Sequence, residues 1–125
     1  MTTHEAVTAA MDPEVRRELA RCMANWEMLA NELATMGPRT RAEQLAVVEA
    51  EVTSLVLPAL EQEQRHLAAL GDRGDDLLAD VEAMEIAARR LHHVASAGEL
   101  HPAVTVSTIS GLVDSLRHHL RRTAS

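Results

Sequence analysis

Apolar residues recur at intervals of three and four positions in four separate stretches of this 125-residue chain. This spacing places them on one face of an α-helix and predicts four amphipathic helices that bury those faces together. The stripes are Val15, Leu19, Cys22, Met23, Trp26, Leu29 and Leu33; Leu45, Val48, Val52, Leu55, Val56, Leu60, Leu67 and Leu70; Leu77, Val81, Met84, Ala88, Leu91 and Ala95; and Ile109, Leu112, Val113, Leu116 and Leu120. Their connections are short, so neighbouring helices should be antiparallel. We therefore predict an all-α protein, an up-down antiparallel four-helix bundle.

The composition also favours helices over sheets. Trp26 is the only aromatic residue, whereas strands favour aromatic and β-branched side chains. The stretch 104–109 (VTVSTI) is β-branched and weakly helical in isolation. We still expect it to be helical, because the last stripe continues from it and a single strand would have no partner.

Proline, glycine and small polar residues mark the expected helix ends. Asp12-Pro13 is typical of an N-cap followed by proline in the first turn, and it predicts the start of the first helix. Gly37-Pro38 should end that helix. Thr40, with Glu43 three residues later, matches a capping box and predicts the start of the second helix.

Pro58 falls inside the second stripe, where it removes one helical hydrogen bond. We expect a second helix kinked at Pro58, the alternative being two helices broken near 57–58. Gly71 to Gly74 should form a turn before the third helix. The predicted organisation is a flexible N-terminal tail, residues 1–11, followed by a single four-helix-bundle domain, residues 12–123.

Charge and hydropathy argue against nucleic acid and membrane partners. The formal net charge is −7, and only Trp26 offers a ring for stacking on bases. No apolar stretch approaches the length of a membrane span, and the N-terminus does not resemble a signal peptide, so a cytoplasmic location is expected. The basic C-terminal stretch, residues 117–122, is interpreted as cations that suit a helix C-terminus; a contact for a small anion or a partner is the alternative.

Three stretches resemble the hemerythrin-like (HHE cation-binding) family. Residues 19–33 (LARCMANWEMLANEL) are similar to that family's first helix. Residues 48–60 (VEAEVTSLVLPAL) are similar to its second-helix segment, in which H-x-x-x-E precedes an apolar-x-Pro-x-Leu ending. Residues 111–120 (GLVDSLRHHL) are similar to its last helix before the repeated H-x-x-x-E. The resemblance implies a bundle that holds a non-haem di-iron centre through histidines and carboxylates.

By that resemblance, however, most ligand positions hold residues that do not suit iron. In chain order these positions are Met23 or Cys22, Val48, Val52, Met84 or its neighbour Glu85, His119 and Thr123. Methionine and valine offer no hard nitrogen or oxygen ligand. The resemblance therefore predicts a hemerythrin-like bundle in which hydrophobic core has replaced the di-iron site.

Histidines and carboxylates near the stripes offer a different metal site. Glu63 and His66 form one E-x-x-H motif, whereas ferritin-like carboxylate bundles need two. We expect this pair to be exposed beside the core, the alternative being that Glu63, near the second stripe, points inward. A rebuilt iron or zinc site would use His66, Glu85, His92 and His119. The interpretation we favour is that these histidines are partly exposed surface residues.

The sequence favours a binding or structural role over catalysis. It has no phosphate-binding loop or nucleophile elbow, and Cys22 on the first stripe should act as a small hydrophobe. Met23, Met28, Met36 and Trp26, on or near the first helix, predict an apolar patch that binds another protein or a second copy, the alternative being that these residues belong to the core. The alternatives are an iron or zinc protein of the same fold that senses oxygen or handles peroxide, and a small-ligand pocket inside the bundle.

Overall fold

The computed structural model describes residues 11–97 and 102–123, and almost all of them are helical. Helix α1 spans Pro13–Glu32 and continues into a 3₁₀ turn, Leu33–Thr35. Helix α2 covers residues 38–69 in three consecutive segments: α-helical Pro38–Glu51, π-helical Val52–Val56 and α-helical Leu57–Ala69. A 3₁₀ turn, Gly71–Gly74, leads to α3, Asp75–Ala97, and α4 spans Pro102–Thr123. No strand occurs in the described ranges, so the all-α prediction is confirmed there, and the β-branched stretch 104–109 is helical.

The four helices form one antiparallel bundle, as predicted. Helix α4 packs along both α1 and α3, and α3 packs along α2. The core consists of stripe residues from all four helices, for example Trp26, Leu60, Met84 and Leu112. By contrast, α1 and α2 approach each other closely over only a short stretch. The bundle is therefore tightly closed on three sides and more open between α1 and α2.

The start of the first helix was predicted correctly from the sequence, and the start of the second was not. The backbone N–H of Val15 donates to Asp12 Oδ1 at 2.9 Å, so Asp12 is the N-cap of α1 as predicted. The prediction that Thr40 caps α2 is wrong, because the helix already begins at Pro38, with Gly37 as its N-cap residue. Proline suits the first helical turn, where its missing N–H costs no hydrogen bond. The predicted flexible tail comprises residues 1–10, which lie outside the described residues, and Met11, whose side chain is buried.

Helix α2 runs through Pro58 without a break, so the alternative of two separate helices is wrong. The irregularity lies in the preceding π-helical segment, Val52–Val56. There the backbone N–H of Leu57 donates to the carbonyl of Val52, five residues earlier. A π turn directly before proline allows the chain to stay helical although Pro58 has no N–H to donate.

Two glycines shape the turn between α2 and α3. Gly71 has φ of 63°, a left-handed conformation that side chains disfavour. A Cβ at Gly74 would lie only 2.3 Å from the carbonyl oxygen of Leu67. Gly74 therefore lets the start of α3 pack directly against the backbone at the end of α2.

Candidate functional site

A groove of about 340 Å³ lies where α1 and α2 diverge. Its walls are Asn25, Trp26, Met28, Leu29, Glu32 and Met36 on the α1 side and Gln44, Val47, Val48 and Glu51 on the α2 side. Met28 and Val47 are 64% and 53% exposed. They are two of the four large apolar side chains exposed in the described residues, the others being Ile86 and Val104. Apolar side chains gathered along a groove are typical of an interaction site.

The structure corrects the apolar patch predicted on the first helix. Met23 and Trp26 are buried, because they lie on the stripe that faces the core. Met28 is exposed and Met36 is half-buried, and both line the groove. The sequence prediction missed Val47, which lies off the helix-period stripe of α2. The patch is therefore shared by two helices rather than carried by one.

Glu51 is held in a fixed position at the wall of this groove. Its Oε1 accepts a hydrogen bond from Trp26 Nε1 at 2.8 Å, and its Oε2 accepts one from the Cys22 thiol at 3.3 Å. Glu51 is itself half-buried. Sequence reasoning missed it because nothing in the local pattern pairs it with residues of α1. Two donors from α1 therefore orient a carboxylate that α2 supplies.

Cys22 is an unreactive thiol at neutral pH. Its burial, followed by the hydrogen bond and the negative charge of Glu51, raises the pKa of Cys22 to about 12. Only the thiolate is nucleophilic, and at neutral pH it is scarcely populated at such a pKa. Cys22 is buried on the apolar stripe, as predicted, but its thiol also has the polar contact with Glu51.

A second polar feature lies in the bundle core, between α2 and α4. His119 Nε2 is 2.7 Å from Glu63 Oε2, and both side chains are almost fully buried. His119 Nδ1 has no hydrogen-bond partner. The contact between the two side chains offsets part of the cost of burying their polar groups. This Glu63–His119 pair therefore links two helices through their buried faces.

The Glu63–His119 pair corrects two expectations from the sequence. Glu63 is not exposed, because it lies between Leu60 and Leu67 on the inward stripe of α2. His119 is not a surface residue, because it lies one turn after the buried Leu116. Among the other histidines, His92 is partly exposed, as expected. Both Glu63 and His119 occupy inward stripe positions, which predict burial, but their polar side chains predict exposure.

The predicted metal ligands are not gathered around a common point. In the ranges 11–97 and 102–123, no group of three or more His, Cys, Asp or Glu is placed to hold a metal ion. His92 Nε2 lies 3.6 Å from a Glu49 oxygen, and Glu85 accepts hydrogen bonds from Gln64 and Arg89. His66 is half-buried on α2, and His119 is paired with Glu63. Binding of iron or zinc by His66, Glu85, His92 and His119 stays a prediction.

The positions that the hemerythrin-like resemblance assigns to ligands lie mostly in the hydrophobic core. The buried ones are Cys22, Met23, Val48, Val52, Met84, His119 and Thr123, and Glu85 is half-buried. This set of side chains does not suit a di-iron centre, since most of them offer no hard ligand.

Comparisons of the chain with protein-family models, with curated proteins and with solved structures find no match. Within the described residues, no helix is both long and apolar enough to cross a membrane.

Proposed function

We propose that this chain is a non-catalytic four-helix-bundle module of the hemerythrin-like type, without the di-iron site. It acts in the cytoplasm by binding another protein through the groove between α1 and α2. The observation that carries the proposal is the exposure of Met28 and Val47 on opposite walls of that groove. Burial of both side chains by a partner would remove apolar surface from water and stabilise the complex.

The chemistry of the interior favours binding over catalysis. The positions at which the resemblance calls for iron ligands hold packed side chains such as Met23, Val48 and Val52. The Cys22 thiol has a pKa of about 12, so it does not act as a nucleophile near neutral pH. The side chains of the described residues thus support a folded scaffold better than an active site.

The shape and charge of the groove favour a helix from a different protein. Two diverging helices offer a groove into which a third helix lays its apolar face. A symmetric dimer through the same groove would bring two copies of Glu32 and Glu51 towards each other. Since the chain also has a net charge of −7, repulsion disfavours a second copy as the occupant.

Site-specific crosslinking tests this function. A photoreactive residue at position 47 probes the groove, and the same residue at position 86 is the matched control, because Ile86 is an exposed apolar residue on α3 outside the groove. Position 47 should capture one helical segment of a partner in extracts of the source cells, and position 86 should not. That segment, made as a synthetic peptide, should suppress the crosslink.

Two results would count against the proposed function. Capture of the same proteins at both positions would show that the contact is non-specific. Capture of the chain itself at position 47 would show that the groove is a dimer interface.

A further inference from the structure

The groove between α1 and α2 carries negative charge at two levels along its length. Glu32 and Glu51 line it, and none of its lining residues is Lys or Arg. Arg41 lies beyond one end, where its guanidinium donates to the carbonyl of Met36 at 3.1 Å. The remaining polar residues of the wall, Asn25 and Gln44, are neutral. A segment that enters this groove therefore meets carboxylates that the wall does not neutralise.

The two carboxylates flank the exposed apolar residues. The hydrogen bond from Trp26 to Glu51 places Trp26 on α1 beside Glu51 on α2. At the other end of the groove, the contact of Arg41 with Met36 places these two residues side by side. In the antiparallel register that joins these two contacts, Met28 and Val47 lie between Glu51 and Glu32. Six residues of α1 separate the level of Trp26 from Glu32, a distance of roughly 9 Å along the helix axis.

The Glu51 carboxylate is held in an orientation that suits pairing with a cation. Its two oxygens are each held by one donor, Trp26 Nε1 and the Cys22 thiol, and a carboxylate has further lone pairs to accept more bonds. Because the side chain is already ordered, pairing with it costs little additional conformational entropy. Its partial burial also makes a charged hydrogen bond stronger than one at the open surface.

We infer that the occupant of the groove is a basic amphipathic helix of a partner protein, with Lys or Arg at positions i and i+7 and apolar residues at i+3 and i+4. These positions share one helix face, and i to i+7 spans about 10.5 Å, close to the roughly 9 Å along α1 between the levels of Trp26 and Glu32. The apolar residues contact Met28 and Val47, and one cation pairs with Glu51. This inference rests on the proposed function and specifies the partner's chemistry.

Three synthetic helical peptides test the inference on the intact chain. They share Leu at i+3 and i+4 and carry Arg, Gln or Glu at both i and i+7. Trp26 is the only tryptophan, so its indole N–H gives a single NMR resonance that reports on Glu51, its hydrogen-bond partner. The Arg peptide should shift this resonance and bind roughly tenfold tighter than the Gln peptide, and the Glu peptide should bind weakest.

Glu51→Gln removes the charge and keeps both contacts with α1, because the amide oxygen still accepts from Trp26 and the amide N–H group donates to the sulfur of Cys22 instead of accepting from it. This variant should weaken the Arg peptide roughly tenfold and leave the Gln peptide unchanged. Glu43→Gln makes the same change of net charge at an exposed position of α2 outside the groove, and it should change neither affinity. Added salt should weaken the Arg peptide alone on the unaltered protein, a readout that needs no variant.

The outcomes separate this inference from the function on which it rests. Equal binding of the Arg and Gln peptides, unaffected by Glu51→Gln and by salt, would overturn the basic partner and leave a groove that binds helices through apolar contact. No binding of any peptide would also overturn the inference. In that case the crosslink at position 47 independently decides whether the groove binds a protein at all.

Discussion

The Glu63–His119 pair should lose stability when either member is replaced alone, because each reduces the cost of burying the other. The two side chains are 0% and 1% exposed, and the ring nitrogen and carboxylate oxygen lie 2.7 Å apart. Glu63→Leu removes the carboxylate that contacts the buried His119 ring, and His119→Leu removes the ring that contacts the buried Glu63 carboxylate. We expect each single substitution to reduce the free energy of unfolding by about 3–5 kcal/mol.

Replacement of both residues by leucine should behave differently. It removes the buried polar groups together and substitutes apolar side chains, which is often neutral or stabilising by about 1–4 kcal/mol. The double variant should therefore be markedly more stable than either single variant. The coupling free energy between the two positions should amount to several kcal/mol, a large share of the roughly 5–15 kcal/mol that stabilise a small domain.

Urea denaturation followed by far-ultraviolet circular dichroism measures the free energies of unfolding of the unaltered protein, the two single variants and the double variant. Glu61→Leu is the matched control, because Glu61 is an exposed carboxylate on the same helix, and its substitution should change stability little. The reasoning would be refuted by single variants that each lose less than about 1 kcal/mol. It would equally be refuted if the double variant lost the sum of the two single losses.

Four further predictions follow from local features. Gly111→Ala, at an exposed position inside α4 with open space around the new Cβ, should stabilise the protein by about 0.5–1 kcal/mol, whereas Gly74→Ala should destabilise it; equal denaturation midpoints would contradict both. The hydrogen bond from Arg117 lowers the pKa of Glu27, so the pair stabilises the fold above the usual glutamate pKa and loses that contribution as pH falls through the lowered value. Arg117→Gln should raise the pKa of Glu27 towards its usual value in an NMR titration. An unchanged pKa would show that Arg117 does not lower it. Cys22 should react with iodoacetamide only as fast as the protein unfolds, and rapid labelling of the native state would show an accessible thiolate. Protein expressed with added iron and zinc and purified without chelator should contain far less than one metal ion per chain, and a stoichiometric content would instead support the metal site predicted from the sequence.

The helices were predictable because their signals are local. The stripe from Ile109 to Leu120 outweighed the β-branched stretch 104–109, and the structure shows a helix there. Asp12 was recognised as a cap because its side chain bonds a backbone group only three residues away. Pro58 predicted an irregularity in α2. Its π-helical form and its position before the proline were not predictable, because they depend on packing of the whole helix.

The polar features were not predictable for the opposite reason. Glu63 and His119 are 56 positions apart in sequence, and their contact in the core forms only when the helices pack. A local pattern identifies their inward positions but cannot supply the partner. The groove depends likewise on the divergence of α1 from α2, which leaves Met28 and Val47 exposed on its two walls.

The affinity of the captured partner segment for matched variants tests the central claim most directly. Isothermal calorimetry would compare the unaltered chain with Val47→Asn, in the groove, and Ile86→Asn, the same kind of change on α3. We predict that Val47→Asn weakens binding at least about tenfold, since it places an uncharged polar amide at the apolar contact, and that Ile86→Asn leaves the affinity unchanged. Equal affinities for all three proteins would contradict the account, because they would show that the segment binds outside the groove between α1 and α2.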